Sequence, residues 1–369
     1  MSELKAFDDT KAGGVKGLVD EGLTKVPPLF HHPPDKFPIA SDTKNTMIPV
    51  IDLEGVAKDP MKRQQVVSRI REACETWGFF QVVNHGIPLS VLDGMKDGIR
   101  RFFEQDVDVK KEFYTRDGKK PFFYYGNFDL YGSGSLPLKW RDSFGCHLAP
   151  RVLNPQDFPE VCRDIILEYR TNIMKLGITL FELLSETLNL HSNYLRDMEL
   201  GCTDRISCAG HYYPASPEPE LTMGTIKHSD ASFLTVLLQD YIDGLQIFHK
   251  DKWINIRHVP ETLVVNVGDF LQGETLIKSS FSLCPPHFHL CCRHPHLLLL
   301  LSVLTPPSTA LTPHTLHVIR LLSSRFIRVL RDSPSFMEHK DRRGFTSFKR
   351  KNHRCLFRLR GGALLRRPA

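Results

Sequence analysis

The sequence predicts a mixed α+β protein that turns mostly β in its second half: a small α/β layer, one long helix, then a sandwich or jelly roll. Three observations carry this. Strand-like and helix-like runs alternate between residues 48 and 103. One apolar stripe at helical spacing runs from Pro159 to Leu190. After Asp204 the pattern changes to short strand-like runs with turn residues between them.

Residues 1–46 are polar and punctuated by Pro27, Pro28, Pro33, Pro34 and Pro38, an N-terminal arm with one short helix and then an extended segment. Residues 47–150 open on the short β-like run Ile48–Leu53. Asp59–Trp77 is predicted helical, because Val66, Val67, Ile70, Ala73 and Cys74 share one stripe, and Gly78 ends it. Phe79–Val83 is a β-branched and aromatic strand, His85-Gly86 turns it, and Pro88 opens a second helix to about Phe103. Phe122–Leu136, aromatic and Gly-rich, reads as an ordered loop. Residues 151–204 form a helical connector. In it Ile165, Ile166, Tyr169, Ile173, Leu176, Leu180, Leu183, Leu184 and Leu188 recur at helical spacing, a core-packing stripe.

Residues 205–272 supply the β-rich part. Ala209–Tyr213, Phe233–Gln239, Leu245–His249, Trp253–Arg257 and Thr262–Asn266 are strand-like, with turns at Pro214–Pro219, Asp243-Gly244, Lys250-Asp251, Pro260 and Gly268-Asp269.

Composition places a boundary near Gln272-Gly273. Residues 274–369 carry 17 Lys/Arg against 4 Asp/Glu, whereas residues 1–273 carry 31 against 38, so the net charge of +6 averages two unlike parts. The tail also holds 8 of the 17 His and no Tyr or Trp. It lacks clean alternation and caps, so residues 273–369 are expected to be an aberrant, disordered basic tail, with Arg320–Arg331 able to form a basic helix. Nine scattered Cys without a CxxC pair read as free thiols in a reducing compartment. No apolar run has signal-peptide or membrane-span length. A monomeric cytoplasmic protein without membrane or nucleic-acid partners is the expectation; the tail has no aromatic interleaving to stack bases.

The spacing H-x-D occurs twice, at His228-Ser229-Asp230 and His339-Lys340-Asp341, and one occurrence is expected by chance among 17 His. His339 sits among Arg342, Arg343, Lys349 and Arg350, a solvated charge cluster. His228 instead precedes the apolar run Phe233–Leu238. Residues i and i+2 of a strand share a face, so His228 and Asp230 can both aim into a barrel mouth. A neutral imidazole and a carboxylate there are two-thirds of the facial triad of non-haem Fe(II) oxygenases. A core-satisfied or N-capping His–Asp pair is the competing reading.

Six ordered motifs decide between them. Trp77-Gly78-Phe79-Phe80-Gln81-Val82-Val83-Asn84-His85-Gly86-Ile87 resembles the N-terminal signature of plant 2-oxoglutarate-dependent dioxygenases. Ile48–Leu53, Gly210-His211-Tyr212-Tyr213-Pro214, Lys227–Asp230 with Leu234–Gln239, Gly244–Ile247 and Val265–Gln272 follow in that family's order, over residues 15–272. The subgroup it is most similar to is the aminocyclopropanecarboxylate oxidase homologues, with a likeness also to deacetoxyvindoline 4-hydroxylase. The resemblance implies a double-stranded β-helix (jelly roll) core and Fe(II) bound by His228, Asp230 and a second His. It implies 2-oxoglutarate as co-substrate beside Tyr213, O₂ as oxidant and ascorbate as reductant. His211 stands where many relatives have Asn. The implied reaction hydroxylates or otherwise oxidises a small plant metabolite, within secondary metabolism.

The tail departs from the family. No second His is identifiable: His287, His289, His294, His296, His314 and His317 all lack an Arg-x-Ser at the spacing the resemblance requires. The third ligand and the last jelly-roll strands are therefore expected to be missing, as if residues 273–369 were translated intron or a shifted reading frame. The alternative expectation is a catalytically impaired relative with at most a binding role.

Overall fold

The computed structural model describes residues 7, 13–37, 47–127, 137–149, 152–197, 206–230, 232–269 and 271 with their side chains, and the backbone of 290–292, 298–303, 336–340, 345–350 and 357–360. The chain divides into two units, Met1–Pro306 and Pro307–Ala369.

The first unit begins with helix α1 (Gly14–Asp20), strand β1 (Val50–Asp52), helix α2 (Pro60–Thr76), β2 (Phe79–Val83), α3 (Leu89–Phe103) and α4 (Val107–Lys111). The edge strand β3 (Phe122–Tyr124) and its neighbour β4 (Asp142–His147) precede the long helix α5 (Glu160–Thr187) and the short α6 (Tyr194–Asp197). Then come β5 (Ile206–Tyr212), β6 (Thr225–His228), β7 (Leu234–Gln239), β8 (Leu245–His249), β9 (Lys252–Ile256) and β10 (Leu263–Val267). Local chemistry sets the ends. The Asp59 carboxylate caps α2 by accepting from the Met61 and Lys62 amides, and Gly78, at φ +66°, lets the chain reverse into β2. Gly98 lets α3 lie close against α5: a Cβ there would stand 2.8 Å from Ile165 Cγ2.

Two more strands close the sheets, β11 (Leu290–Cys292) and β12 (Leu298–Val303). The large sheet has the order β1-β2-β10-β7-β12-β5-β4-β3, and the small one β6-β11-β8-β9. Period-2 alternation gives the large sheet two different faces. Phe80, Val82, Phe144, Leu234, Val236, Leu238 and Val265 pack with the apolar stripes of α3 and α5. Phe79, Tyr213, Leu237 and Val264 turn the other way, onto Leu245, Ile247, Ile254 and Ile256 of the small sheet. Helices, large sheet and small sheet form three layers, and the space between the sheets is the jelly-roll interior. A third cluster, Phe7, Val15, Val26 and Phe30 with Leu138 and Trp140, docks the N-terminal arm. Among the described residues no helix is long and apolar enough to cross a membrane.

Two expectations are corrected. Phe122–Leu136 is not loop throughout, because Phe122–Tyr124 pair with β4 as an edge strand. The last jelly-roll strands are not missing from the sheets. β12 pairs with β5 from Leu298↔His211 to Val303↔Ile206, and with β7 from Leu298↔Gln239 to Val303↔Leu234. β11 stands between β6 and β8. The physical reason is that β5 and β7 would otherwise present facing rows of unpaired N–H and C=O groups. An uninterrupted aliphatic run such as Leu297–Leu301 has the composition of a strand flanked on both sides.

The second unit contains an antiparallel sheet of β13 (Phe336–Lys340), β14 (Phe345–Arg350) and β15 (Phe357–Arg360). His339 lies in β13. Arg320–Arg331, His287, His289, His294, His296, His314 and His317 lie outside the described residues.

Candidate metal and co-substrate site

His228 is the last residue of β6, and Asp230 lies beyond the strand end, in the connection to β7. The two therefore do not share a strand face, as the spacing suggested. They are brought together by tertiary hydrogen bonds. Asn266 on β10 and Thr235 on β7 are directly opposite partners in the ladder, so both side chains stand on the interior face. Thr235 Oγ1 donates to Asp230 Oδ2 at 2.8 Å, and Asn266 Nδ2 donates to the same oxygen at 2.9 Å. The Asp269 amide donates to the Asp230 carbonyl at 2.9 Å, and Ser229 Oγ donates to Asp269 Oδ2 at 2.9 Å. The bend has no room for a side chain at Gly268, where a Cβ would meet the Ser232 carbonyl at 2.0 Å.

With Oδ2 engaged twice, Asp230 Oδ1 faces His228 Nε2 at 3.5 Å. The other ring nitrogen, Nδ1, lies 2.9 Å from the Ile226 carbonyl and donates its proton there. That bond fixes the tautomer and leaves the Nε2 lone pair for a metal. Burial lowers the His228 pKa, as do the nearby Arg141 and Lys139 charges, while Asp230 opposes them. The imidazole is neutral at neutral pH, as a ligand must be. Imidazole nitrogen and carboxylate oxygen are a donor pair that suits Fe(II). Among the described residues no group of three His, Cys, Asp or Glu side chains could hold a metal ion.

The co-substrate candidates lie on β5 and just beyond it. His211 is the ladder partner of Ser143 on β4, and its Nδ1 shares a 2.8 Å hydrogen bond with Ser143 Oγ. Burial first, then the charges of Arg141, Lys139 and His228, hold the His211 pKa well below the usual histidine value. The Tyr213 ring lies edge-on to His211 at a centroid distance of 6.3 Å. Arg141 Nη1 donates to the Tyr213 hydroxyl at 3.4 Å. Both Tyr213 and Arg141 are buried.

Sequence reasoning missed Arg141, Ser143, Thr235 and Asn266. A signal existed in Trp140-Arg141-Asp142-Ser143, where consecutive polar residues enter an aromatic strand. Thr235 and Asn266 interrupt otherwise apolar strands, which is how interior polar supports look in sequence.

Comparisons with known proteins show the family. Residues 48–161 match the model of the N-terminal region of non-haem dioxygenases described for morphine synthesis, and residues 207–279 match the 2OG-Fe(II) oxygenase superfamily. A 1-aminocyclopropane-1-carboxylate oxidase homologue of Solanum lycopersicum is 52% identical over 272 residues, 74% of either chain. Homologue 1 of Arabidopsis thaliana is 51% identical over 271 residues, 73% of either chain. The solved structure of JOX2 in complex with 2OG, Fe and JA superposes with a TM-score of 0.67 at 28% identity, over 82% of this chain and 88% of that one. The dioxygenase for auxin oxidation in rice, at 20% identity and a TM-score of 0.56 over 75% of this chain and 95% of that one, shares the fold. Sequence match, jelly roll and the His228–Asp230 pairing converge: the chain belongs to the plant 2-oxoglutarate- and Fe(II)-dependent dioxygenases, in the group of the 1-aminocyclopropane-1-carboxylate oxidase homologues.

Proposed function

We propose that His228 and Asp230 hold Fe(II), that Tyr213 and His211 line the place of 2-oxoglutarate, and that the chain hydroxylates or otherwise oxidises a small metabolite of plant secondary metabolism. The observation that carries this is the divided use of each ligand. His228 commits Nδ1 to Ile226 and Asp230 commits Oδ2 to Thr235 and Asn266, so that Nε2 and Oδ1 face one another. Family chemistry couples decarboxylation of 2-oxoglutarate to oxidation of a substrate C–H bond, with the metal supplying the reactivity.

The protein's own part is positioning. Burial and the neighbouring cations keep His211 unprotonated, so it adds no third positive charge beside Arg141 and Lys139. Leu237, Val264, Leu245 and Ile247 wall the space between the sheets and exclude water from it. Ascorbate as reductant, a monomeric state and cytoplasmic residence belong to the same proposal. The test is direct. Purified protein is expected to take up one Fe(II) per chain and to release succinate from 2-oxoglutarate. Neither should occur in His228→Ala.

One observation favours a second reading, a catalytically impaired relative that only binds. Among the described residues no third ligand joins His228 and Asp230. Iron uptake without succinate release would select that reading.

A further inference from the structure

We propose that the interior face of β3, β4 and β5 receives the primary substrate, that this substrate is a planar aromatic ring compound, and that Phe123 and Gly145 select it. The inference deepens the proposed function and rests on it for the presence of a substrate beside the metal. Alternation divides the aromatic residues of β3 and its end between two faces. Phe122 and Tyr124 turn toward α3 and α5 and belong to the large apolar cluster there. Phe123 and Tyr125 turn the other way, onto the face that carries Ser143 and His211. Neither belongs to an apolar cluster among the described residues.

Gly145 shapes this face. It is directly opposite Phe123 on one side and Ala209 on the other. A Cβ on Gly145 would run into the Phe123 ring, so the ring lies across the glycine backbone. The Phe123 and Tyr125 rings run parallel, with 7° between their planes and 5.5 Å between centroids. Both residues are buried, yet Ser207 and Ala209, on the same face of β5, are only partly so. A flat aromatic floor thus borders room kept by a glycine and an alanine. Such a floor gives a planar ring offset or edge contacts that a puckered ring of the same carbon skeleton cannot match. The floor also leads to the metal end of the site. The Tyr125 amide donates to the Ser143 carbonyl at 3.5 Å, and Ser143 Oγ shares its 2.8 Å hydrogen bond with His211 Nδ1. Tyr125, Ser143 and His211 stand in a row across three strands, roughly 10 Å at the usual strand spacing. His211 in turn lies within electrostatic range of His228.

The test uses 2-naphthol and decahydro-2-naphthol, which share a carbon skeleton and a hydroxyl and differ in planarity. Calorimetric titration of the full-length protein with 2-oxoglutarate, in the presence and absence of Co(II), is expected to show a preference for 2-naphthol of about five- to tenfold. That is the scale of an aromatic contact beyond its buried area. Phe123→Leu, which keeps an apolar side chain and loses the ring, abolishes the preference, and Phe123→Tyr keeps it. Tyr125→Leu, at the other ring of the pair, lowers the preference likewise and covers the case in which Phe123→Leu fails to fold. An unchanged preference in either folded leucine variant overturns the proposal, as does a wild type with no preference. A preference that depends on Phe123 in protein that takes up no Co(II) leaves the aromatic floor standing and sinks the metal-site reading instead.

Discussion

The carboxylate of Asp142 accepts the backbone N–H of Val15 at 2.8 Å through Oδ1 and that of Lys16 at 2.7 Å through Oδ2. One side chain at the start of β4 therefore anchors the first turn of α1, more than a hundred residues away in sequence. Gly14, at φ +58°, sits against it where a Cβ would come within 2.3 Å of Oδ1. Burial pushes the Asp142 pKa up to about 6, partly offset by the two amides and by the charges of Lys110 and Lys16. A carboxyl whose pKa is raised on folding stabilises most when protonated. That contribution is complete below its unfolded value of 3.8 and is lost as pH rises through about 6. In Asp142→Asn one of the two acceptors becomes a donor facing an amide, so the variant is less stable at about pH 5 by roughly 1–3 kcal/mol. The gap from wild type then narrows by about 1 kcal/mol between roughly pH 5 and 7. Urea midpoints of both proteins across that range check this, and a gap that stays constant contradicts a buried, ionising Asp142.

Asp230 gives a second prediction. Its Oδ2 is held by Thr235 and Asn266, neither of which would touch the metal. Removing either hydrogen bond, in Thr235→Val or Asn266→Ala, frees the carboxylate to rotate. Metal affinity is expected to fall by about 10–100-fold, the usual effect of losing a support behind a ligand. Co(II) titration measures it, with His228→Ala as the non-binding reference. Wild-type affinity in both variants would mean that Asp230 needs no orientation.

His211 gives a third, of opposite sign to Asp142. Its folded pKa lies well below 6.5, chiefly through burial and then through Arg141. The stability it supports is present above 6.5 and is lost as pH falls toward the folded value, because the unfolded chain takes up the proton first. His211→Asn can keep a hydrogen bond to Ser143 and does not titrate. Relative to this variant, wild type is expected to lose stability below about pH 6.5, with a limiting slope of about 1.4 kcal/mol per pH unit. Thermal melts between about pH 4.5 and 7.5 decide, and parallel curves would refute the assignment.

These three predictions depend on side chains that differ in how well the sequence announces them. The extents of β2 and β8, and of β7 to within one residue, follow from β-branched, aromatic and apolar runs bounded by turn residues, and the helices α2, α3 and α5 from one-sided apolar stripes. His228, Asp230, His211 and Tyr213 stand out as candidates because they sit inside ordered motifs. Asn266 and Thr235 are not, because their role exists only through the β7–β10 register, which joins positions 31 residues apart. Arg141 is hidden for the same reason, since its partner Tyr213 is 72 residues away. The strand Leu298–Val303 escapes the sequence for another reason. Charge and departure from the family describe its surroundings, whereas what places it is the backbone demand of β5 and β7 on either side.

That demand makes the last prediction. Leu300 is opposite Ala209 on one side and Leu237 on the other, so its backbone belongs to two ladders at once. A strand paired on both sides exchanges its amide hydrogens only through opening of the whole sheet. Amides of residues 298–303 are therefore expected to exchange as slowly as those of Leu234–Gln239. Proline at this position cannot donate to the ladder and fits only edge strands or bulges. Leu300→Pro is expected to cost about 3 kcal/mol or more and to speed exchange in β5 and β7 together. Fast exchange at 298–303 in the wild type, with β5 and β7 still protected, would show that these two strands satisfy their edges without the tail.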